Sequence, residues 1–418
     1  MKYEYDNLNL HILKNKKFKK NIVSIEFKRK AKKEEMTLRN LLSIVLVRSC
    51  RKYPKERDLL IKSEELYDVA YNSRIRVLGW DSFLTLSLTF LSPKYTEKNM
   101  FFKSMSFLTE LLLSPNVKNG AFDEEIVNQA KAELKEELLL ANEQPYYLAM
   151  KGLLENIDSS APFTYSDMGY IEDLDNITPT KLYDYYVSVL DSDSLDIFIC
   201  GDVDVLSVKK VIKEKFSKLN KRKKYNENVY HINKKTIEDN YIVKEIDNNQ
   251  SIMNIGFKAL NLNDFELRYV WYVYNYILGG SANSKLFRDV REKESLCYDI
   301  HSSMENFFDL MIISTGINAI NEKKAKELIL KSMDEISKGH FLEKDIKDAI
   351  NSYIYDIKAN LGTPYGIVNL YRQKYYFNSD NYLLKIKNIK KVDKNMVIDL
   401  SKKFKLDTIY FLKGVNDD

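Results

Sequence analysis

The chain's imidazoles are His11, His231, His301 and His340, four in all. A zinc ion that activates water on a helix needs two of them three or four residues apart on one face, with a carboxylate alongside. No two lie that close, so HxxEH and HExxH are both absent. Each histidine is expected to be a surface or internally satisfied residue. The three cysteines, Cys50, Cys200 and Cys297, are far apart and odd in number. They form neither a disulfide framework nor a CxxC metal pair, and buried thiols are expected. No GxSxG occurs, and a Ser-His-Asp set could be recognised only in space. The Gly-rich stretch from Leu278 to Leu286 lacks the spacing of GxxxxGK[ST] and of GxGxxG. It reads as a helix C-cap at Gly279 or Gly280 and an N-cap at Ser281 or Ser284. The stretch from Leu286 to Tyr298 is a charged amphipathic helix running into a strand, where Arg291 could pair with Asp289 or Glu294.

These residues sit on a chain of 418, long enough for two domains with sizeable cores. Apolar residues make up 44% and charged ones 30%, a globular balance. The 65 basic and 60 acidic residues leave a net charge of +5, too small for a nucleic-acid footprint. No apolar run approaches the ~20 residues that span a bilayer. The first residues lack the basic and apolar regions of a signal peptide. A cytoplasmic protein is expected, with neither nucleic acid nor membrane as partner.

In the first half, Asn9–Leu13 and Ile22–Phe27 read as a hairpin across a Lys-rich turn. A helix follows with Thr37 as N-cap, then a helix over 63–72 and a strand pair over 74–78 and 82–91. Further helices are expected over 98–113, and after Asp123, where Ile126, Ala130, Leu134 and Leu138 share one face. A helix over 177–190 leads to a strand over 195–203. The polar stretch 217–236 reads as a linker. The order then repeats: strands over 241–246 and 251–260, helices over 264–278 and 284–294, a strand pair, two helices and a closing strand over 406–415. Phe122 precedes Pro145 by 23 residues, and Phe341 precedes Pro364 by the same interval, each pair bracketing a long amphipathic helix. Two copies of one α+β domain are expected, 1–216 and 237–418, each an antiparallel-rich sheet with helices covering one face.

Gly279-Gly280, Ser284, Leu286-Phe287, Arg291-Glu292, Leu296 and Tyr298 resemble the second-domain signature of the insulinase, pitrilysin and mitochondrial processing peptidase family. That resemblance implies the insulinase-like metallopeptidase fold. The family's first domain carries HxxEH on an early helix and a distal Glu on the long helix. Aligned here, Asn40 and Ile44 stand at the two His positions, Ser43 at the catalytic Glu and Ala130 at the distal ligand. The resemblance therefore implies a non-catalytic member, with no catalytic residue, metal ligand or cofactor of its own. Zinc is expected in a partner: an HxxEH-bearing chain of the same family in a heterodimer, or a second copy in a homodimer. Arg291 and Tyr298, seven residues apart, with Gly279 and Gly280, are the implied substrate-binding residues, and the substrate an extended peptide. Guanidinium and phenol are suitable donors to a peptide carbonyl or to the oxyanion formed from it. Within the family, the chain most resembles the motif-less bacterial member encoded beside genes for aminopentanol modification of elongation factor P. The alternative implied is a non-proteolytic scaffold or peptide-binding protein of the same fold.

Overall fold

The computed structural model describes residues 1–222 and 240–415. The expected linker lies largely outside them, as does His231. The described chain divides into two units. The first comprises residues 1–140, 165–222 and 359–379. The second comprises 141–164, 240–358 and 380–415.

The first unit holds a six-stranded sheet built from β1 (Lys2–Glu4), β2 (Asn9–Lys14), β3 (Lys20–Lys30), β4 (Ala70–Leu78), β5 (Asp81–Leu91) and β6 (Ser194–Gly201). Its order is β1-β2-β6-β3-β5-β4, with β2 and β6 parallel and the other pairs antiparallel. The expected N-terminal hairpin is not formed, because β6 inserts between β2 and β3. Leu195, Ile197, Phe198, Ile199 and Cys200 of β6 are all buried, and a strand apolar on both sides belongs in a sheet centre rather than at its edge.

The second unit repeats this plan. Its strands are β7 (Asn240–Ile246), β8 (Ser251–Ala259), β9 (Cys297–Glu305), β10 (Leu310–Ile317) and β11 (Phe404–Gly414). Their order is β7-β11-β8-β10-β9, with only β7 and β11 parallel. Leaving β1 aside, the two orders and the place of the parallel pair coincide, as duplication of one α+β domain requires.

Alternation along β3 sorts its side chains. Val23, Ile25 and Phe27 face a core completed by α1 (Met36–Leu46) and α2 (Glu124–Asn142) through Leu41, Leu42, Val45, Ala130, Leu134 and Leu138. Thr37 is not the cap of α1 but lies inside it. Its hydroxyl donates to Asp173 (2.6 Å) and accepts from the Tyr170 amide (2.9 Å). Arg39, fully buried, donates to Asp193 (2.9 Å) and to the Phe27 carbonyl (2.7 Å), fixing α1 to the sheet. The helix expected over 63–72 lies instead at Glu56–Glu65, and β4 takes its second half.

The sheet's other face is covered as well. Two helices, α3 (Pro145–Asp158) and α5 (Pro364–Phe377), each follow a long helix, α2 and α4 (Glu343–Asn360) respectively. The equal Phe-to-Pro spacing marks these helix pairs, and Pro145 and Pro364 open the second member of each. Yet α3, coded in the first half, packs on β8 and β11 of the second unit, while α5 packs on β6 and β3 of the first. A Cβ at Gly152 would overlap the Tyr410 ring, so glycine is what lets α3 approach its sheet.

Under α5 the first sheet carries charge. Glu26 meets the Arg372 guanidinium and accepts from the Tyr376 hydroxyl (3.0 Å). His11 Nε2 lies 2.9 Å from Asp196 and its Nδ1 3.3 Å from the Tyr371 hydroxyl, with the ring stacked on Phe198. Burial pushes the Glu26 carboxyl up to about 7, against the pull of Arg372 and Tyr376 and with help from Asp196. The folded chain thus holds a proton that the unfolded chain releases near the ordinary value of 4.5. Glu26's contribution to stability is full below that value and is lost as the pH rises through about 7. Thermal melts from pH 5 to 8 should therefore show Glu26→Gln gaining on the unmodified chain as the pH rises; a constant difference would contradict the raised carboxyl.

Candidate functional site

One face of α1 carries Asn40, Ser43 and Ile44 at helical spacing, and Arg48 follows one turn beyond Ile44. These side chains line a cavity of about 270 Å³ within the first unit. Glu133 and Glu137, one turn apart on α2, line it too, as do Ser73 and Arg74 of β4 and Asp167. Ala130 does not: it lies in the core, fully buried. The structure thus brings Asn40, Ser43 and Ile44 together, and places two glutamates of α2, rather than Ala130, beside them.

This cavity does not fit a zinc ion. Asn40 donates its amide to the Met168 carbonyl (3.1 Å), and the Ser43 hydroxyl donates to Asn40 Oδ1 (3.3 Å). Ile44 has no donor atom. The Arg48 guanidinium grips both oxygens of Glu133, one at 2.8 Å, and its hydrogen bond holds the Glu133 carboxyl below its ordinary value. A dication needs neutral imidazoles or free carboxylates; here a fixed cation of the chain itself takes a carboxylate. Among the described residues, no three His, Cys, Asp or Glu side chains gather in a metal-holding arrangement. Burial raises the Asp167 carboxyl, opposed by its own backbone amide, by Arg76 and by the Met168 amide. The cavity can hydrogen-bond a ligand through the groups that line it.

The second region lies in the second unit, where the helix Trp271–Leu278 ends at Gly279. The Gly279 carbonyl accepts from the Ser302 amide of β9 (3.2 Å), and a Cβ there would come within 2.7 Å of Ser302 N and Oγ. The Ser302 hydroxyl in turn donates to Asn275 Oδ1 (2.8 Å). Gly279 is therefore the point at which helix and strand interlock. Gly280 is exposed, and a Cβ there would meet Asn275. Past this loop, a wide-turn helical segment, Phe287–Glu292, delivers Arg291, and β9 begins at Cys297 and Tyr298.

The pairing open to Arg291 with Asp289 or Glu294 is not found among the described residues. Asp289 is taken by Lys285 (2.8 Å) and Lys293 (2.7 Å), and Glu294 by Lys324 (2.6 Å). Arg291 lies instead between two rings, 4.6 Å from the Phe287 centroid and 5.5 Å from that of Tyr298. Tyr298 is 80% exposed on the edge strand of its sheet. The pair is a guanidinium and a phenol held side by side with their donors free of carboxylates among the described residues.

The described histidines lie elsewhere: His11 in the buried network under α5, His301 beside Asp299 (3.2 Å), His340 exposed. Sequence reasoning missed Arg48, Glu133 and Glu137 as lining groups. The four-residue spacing of Asn40, Ile44 and Arg48 was the available signal. No helix among the described residues is long and apolar enough to cross a membrane.

Comparison with known proteins gives a consistent picture. A family profile described as "Peptidase M16 inactive domain" matches residues 176–353. A Bacillus subtilis protein described as a probable inactive metalloprotease, YmfF, is 30% identical over 99% of this chain and 97% of its own length. A Helicobacter pylori protein described as a non-peptidase homolog, YmxG, is 23% identical over 64% of this chain and 59% of its own. Among solved structures, a conserved protein from Enterococcus faecalis superposes with a TM-score of 0.91 at 23% identity, covering 98% of this chain and 97% of that one. A peptidase M16 inactive domain from Pseudomonas fluorescens gives 0.80 at 14%, covering 99% and 98%.

The Gly279 interlock has a measurable cost. Gly279→Ala must push the helix end away from Ser302, and urea unfolding should show a loss of about 1–3 kcal/mol; an unchanged midpoint would mean that the contact carries no packing constraint.

Proposed function

The chain belongs to the M16 peptidase family as an inactive homologue, and from that premise we propose that it is the non-catalytic subunit of a peptide-processing pair in the cytoplasm. A partner chain bearing HxxEH holds the zinc and activates the water. This chain contributes Arg291 and Tyr298, which donate hydrogen bonds to the substrate backbone and to the oxyanion formed during attack. The carrying observation is that Arg291 is parked against an exposed tyrosine, while lysines take two neighbouring carboxylates, Asp289 and Glu294. A guanidinium with a purely structural task would ordinarily be paired. Gly279 and Gly280 support this presentation indirectly, by fixing the loop that precedes Arg291, and the substrate is an extended peptide.

Arg291→Ala combined with Tyr298→Phe tests the assignment. In the assembled pair, kcat on a peptide substrate should fall about a hundredfold, the range for lost oxyanion donors, while the two chains still co-elute. Hydrolysis at an unchanged rate would remove the donor role and favour the non-proteolytic scaffold.

A further inference from the structure

Edge strand β4 presents Arg74 and Arg76 on one side of the first sheet, opposite Thr85 and Phe83 of β5. Neither has a carboxylate within ion-pair distance among the described residues, unlike Arg29, Arg39, Arg48 and Arg372 of the same unit. Arg74 lines the cavity behind α1, is half-buried, and donates Nη2 to the Tyr365 hydroxyl oxygen (2.5 Å). That bond uses Tyr365 as an acceptor, so the phenol's own proton remains available to a further acceptor. Tyr365 belongs to the first turn of α5, whose N-terminus adds the positive end of a 14-residue helix dipole.

Three guanidinium groups, Arg74, Arg76 and Arg372, bear on the Tyr365 hydroxyl. Burial alone would raise the Tyr365 phenol, yet the Arg74 hydrogen bond and charge, with Arg76 and Arg372, outweigh it and hold the phenol below its ordinary value. The carboxyls of Asp167 and Glu26, which feel Arg76 and Arg74 respectively, are both pushed upward by burial. Of the glutamates lining the same cavity, Glu133 is held by Arg48, and Glu137 is exposed. The Ser73 hydroxyl, buried and lacking a partner among the described residues, also lines the cavity.

We infer that Arg74, Arg76 and Tyr365 bind a carboxylate of the client peptide, either an acidic side chain or the C-terminal carboxylate. Arg74 and Arg76, two apart on one side of β4, and the phenol bonded to Arg74 offer the donors that a planar carboxylate accepts. The inference rests on the peptide-binding part of the function proposed above and adds a class of client: peptides read by their negative charge.

The test is fluorescence anisotropy with the full chain, in its complex where one is isolated. Three labelled short peptides are compared: one carrying two Glu residues with an amidated C-terminus, its Gln counterpart also amidated, and the Gln peptide with a free C-terminus. The Glu peptide or the free-terminus peptide should bind about tenfold tighter than the amidated Gln peptide, the effect of one charge-assisted hydrogen-bond set. Which of the two gains identifies the source of the carboxylate. The gain should vanish in Arg74→Gln/Arg76→Gln, whose melting should match the unmodified chain, and should persist in part in Arg74→Lys. Equal binding of all three peptides, absence of binding by all, or a preference that survives Arg74→Gln/Arg76→Gln overturns the inference. Partner-dependent hydrolysis and its dependence on Arg291 and Tyr298 are read in a separate assay, so their loss and the loss of this inference are distinguishable.

Discussion

A strand that is apolar on one side and carries Glu26 on the other can be buried only if something supplies hydrogen-bonding partners for that carboxyl. In the first unit the supplier is α5, and Arg372 and Tyr376 are its instruments. Leaving one partner of such a pair unmatched would cost several kcal/mol, so the sheet and the helix specify each other. The same demand extends to Asp196, met by His11, which Tyr371 of the same helix touches. In the second unit the corresponding cover, α3, relies on close apolar approach through Gly152 rather than on charge. Each sheet is thus closed on both faces, and in each the closing helix comes from the other half of the sequence.

This architecture explains why the loss of a metal site is tolerable. The position of α1 is fixed by apolar packing and by the buried contacts of Arg39 with Asp193 and the Phe27 carbonyl. No metal is required to hold α1 against its neighbours, so Asn40, Ser43 and Ile44 can line the cavity without disturbing the fold. Arg48 then converts the region from one that could attract a cation into one already furnished with its own. The first unit's cavity corner and the Arg291–Tyr298 pair of the second unit both present guanidinium and phenol groups, which are hydrogen-bond donors. Donation of this kind binds and polarises a substrate but does not generate a nucleophile.

Much of this organisation was legible in the sequence. The duplication was visible because helix pairs opened by Pro145 and Pro364 recur after buried Phe122 and Phe341. Period-2 and period-3.6 patterns located most strands and helices. The hairpin expectation failed because adjacency in sequence suggested pairing of β2 with β3, whereas the doubly apolar β6 was the better neighbour for both. The exchange of α3 and α5 could not be read, since an amphipathic helix does not declare which sheet it will cover. The absence of paired histidines was decisive as a count. The lining role of Glu133 and Glu137, by contrast, depends on the rotation of α2 about its axis, and a register taken from a pattern match put Ala130 there instead. Arg74 and Arg76 were silent for a similar reason: arginines on a strand gain meaning only when their partners, or the want of them, are known.

The central claim is that this chain works as one half of a pair. Affinity purification of the tagged chain from its native host, followed by identification of what accompanies it, tests that claim most directly. The account predicts a chain of similar size that carries HxxEH, recovered in equal amount and bearing zinc. Recovery of this chain alone, or only as a homodimer without zinc, would contradict it.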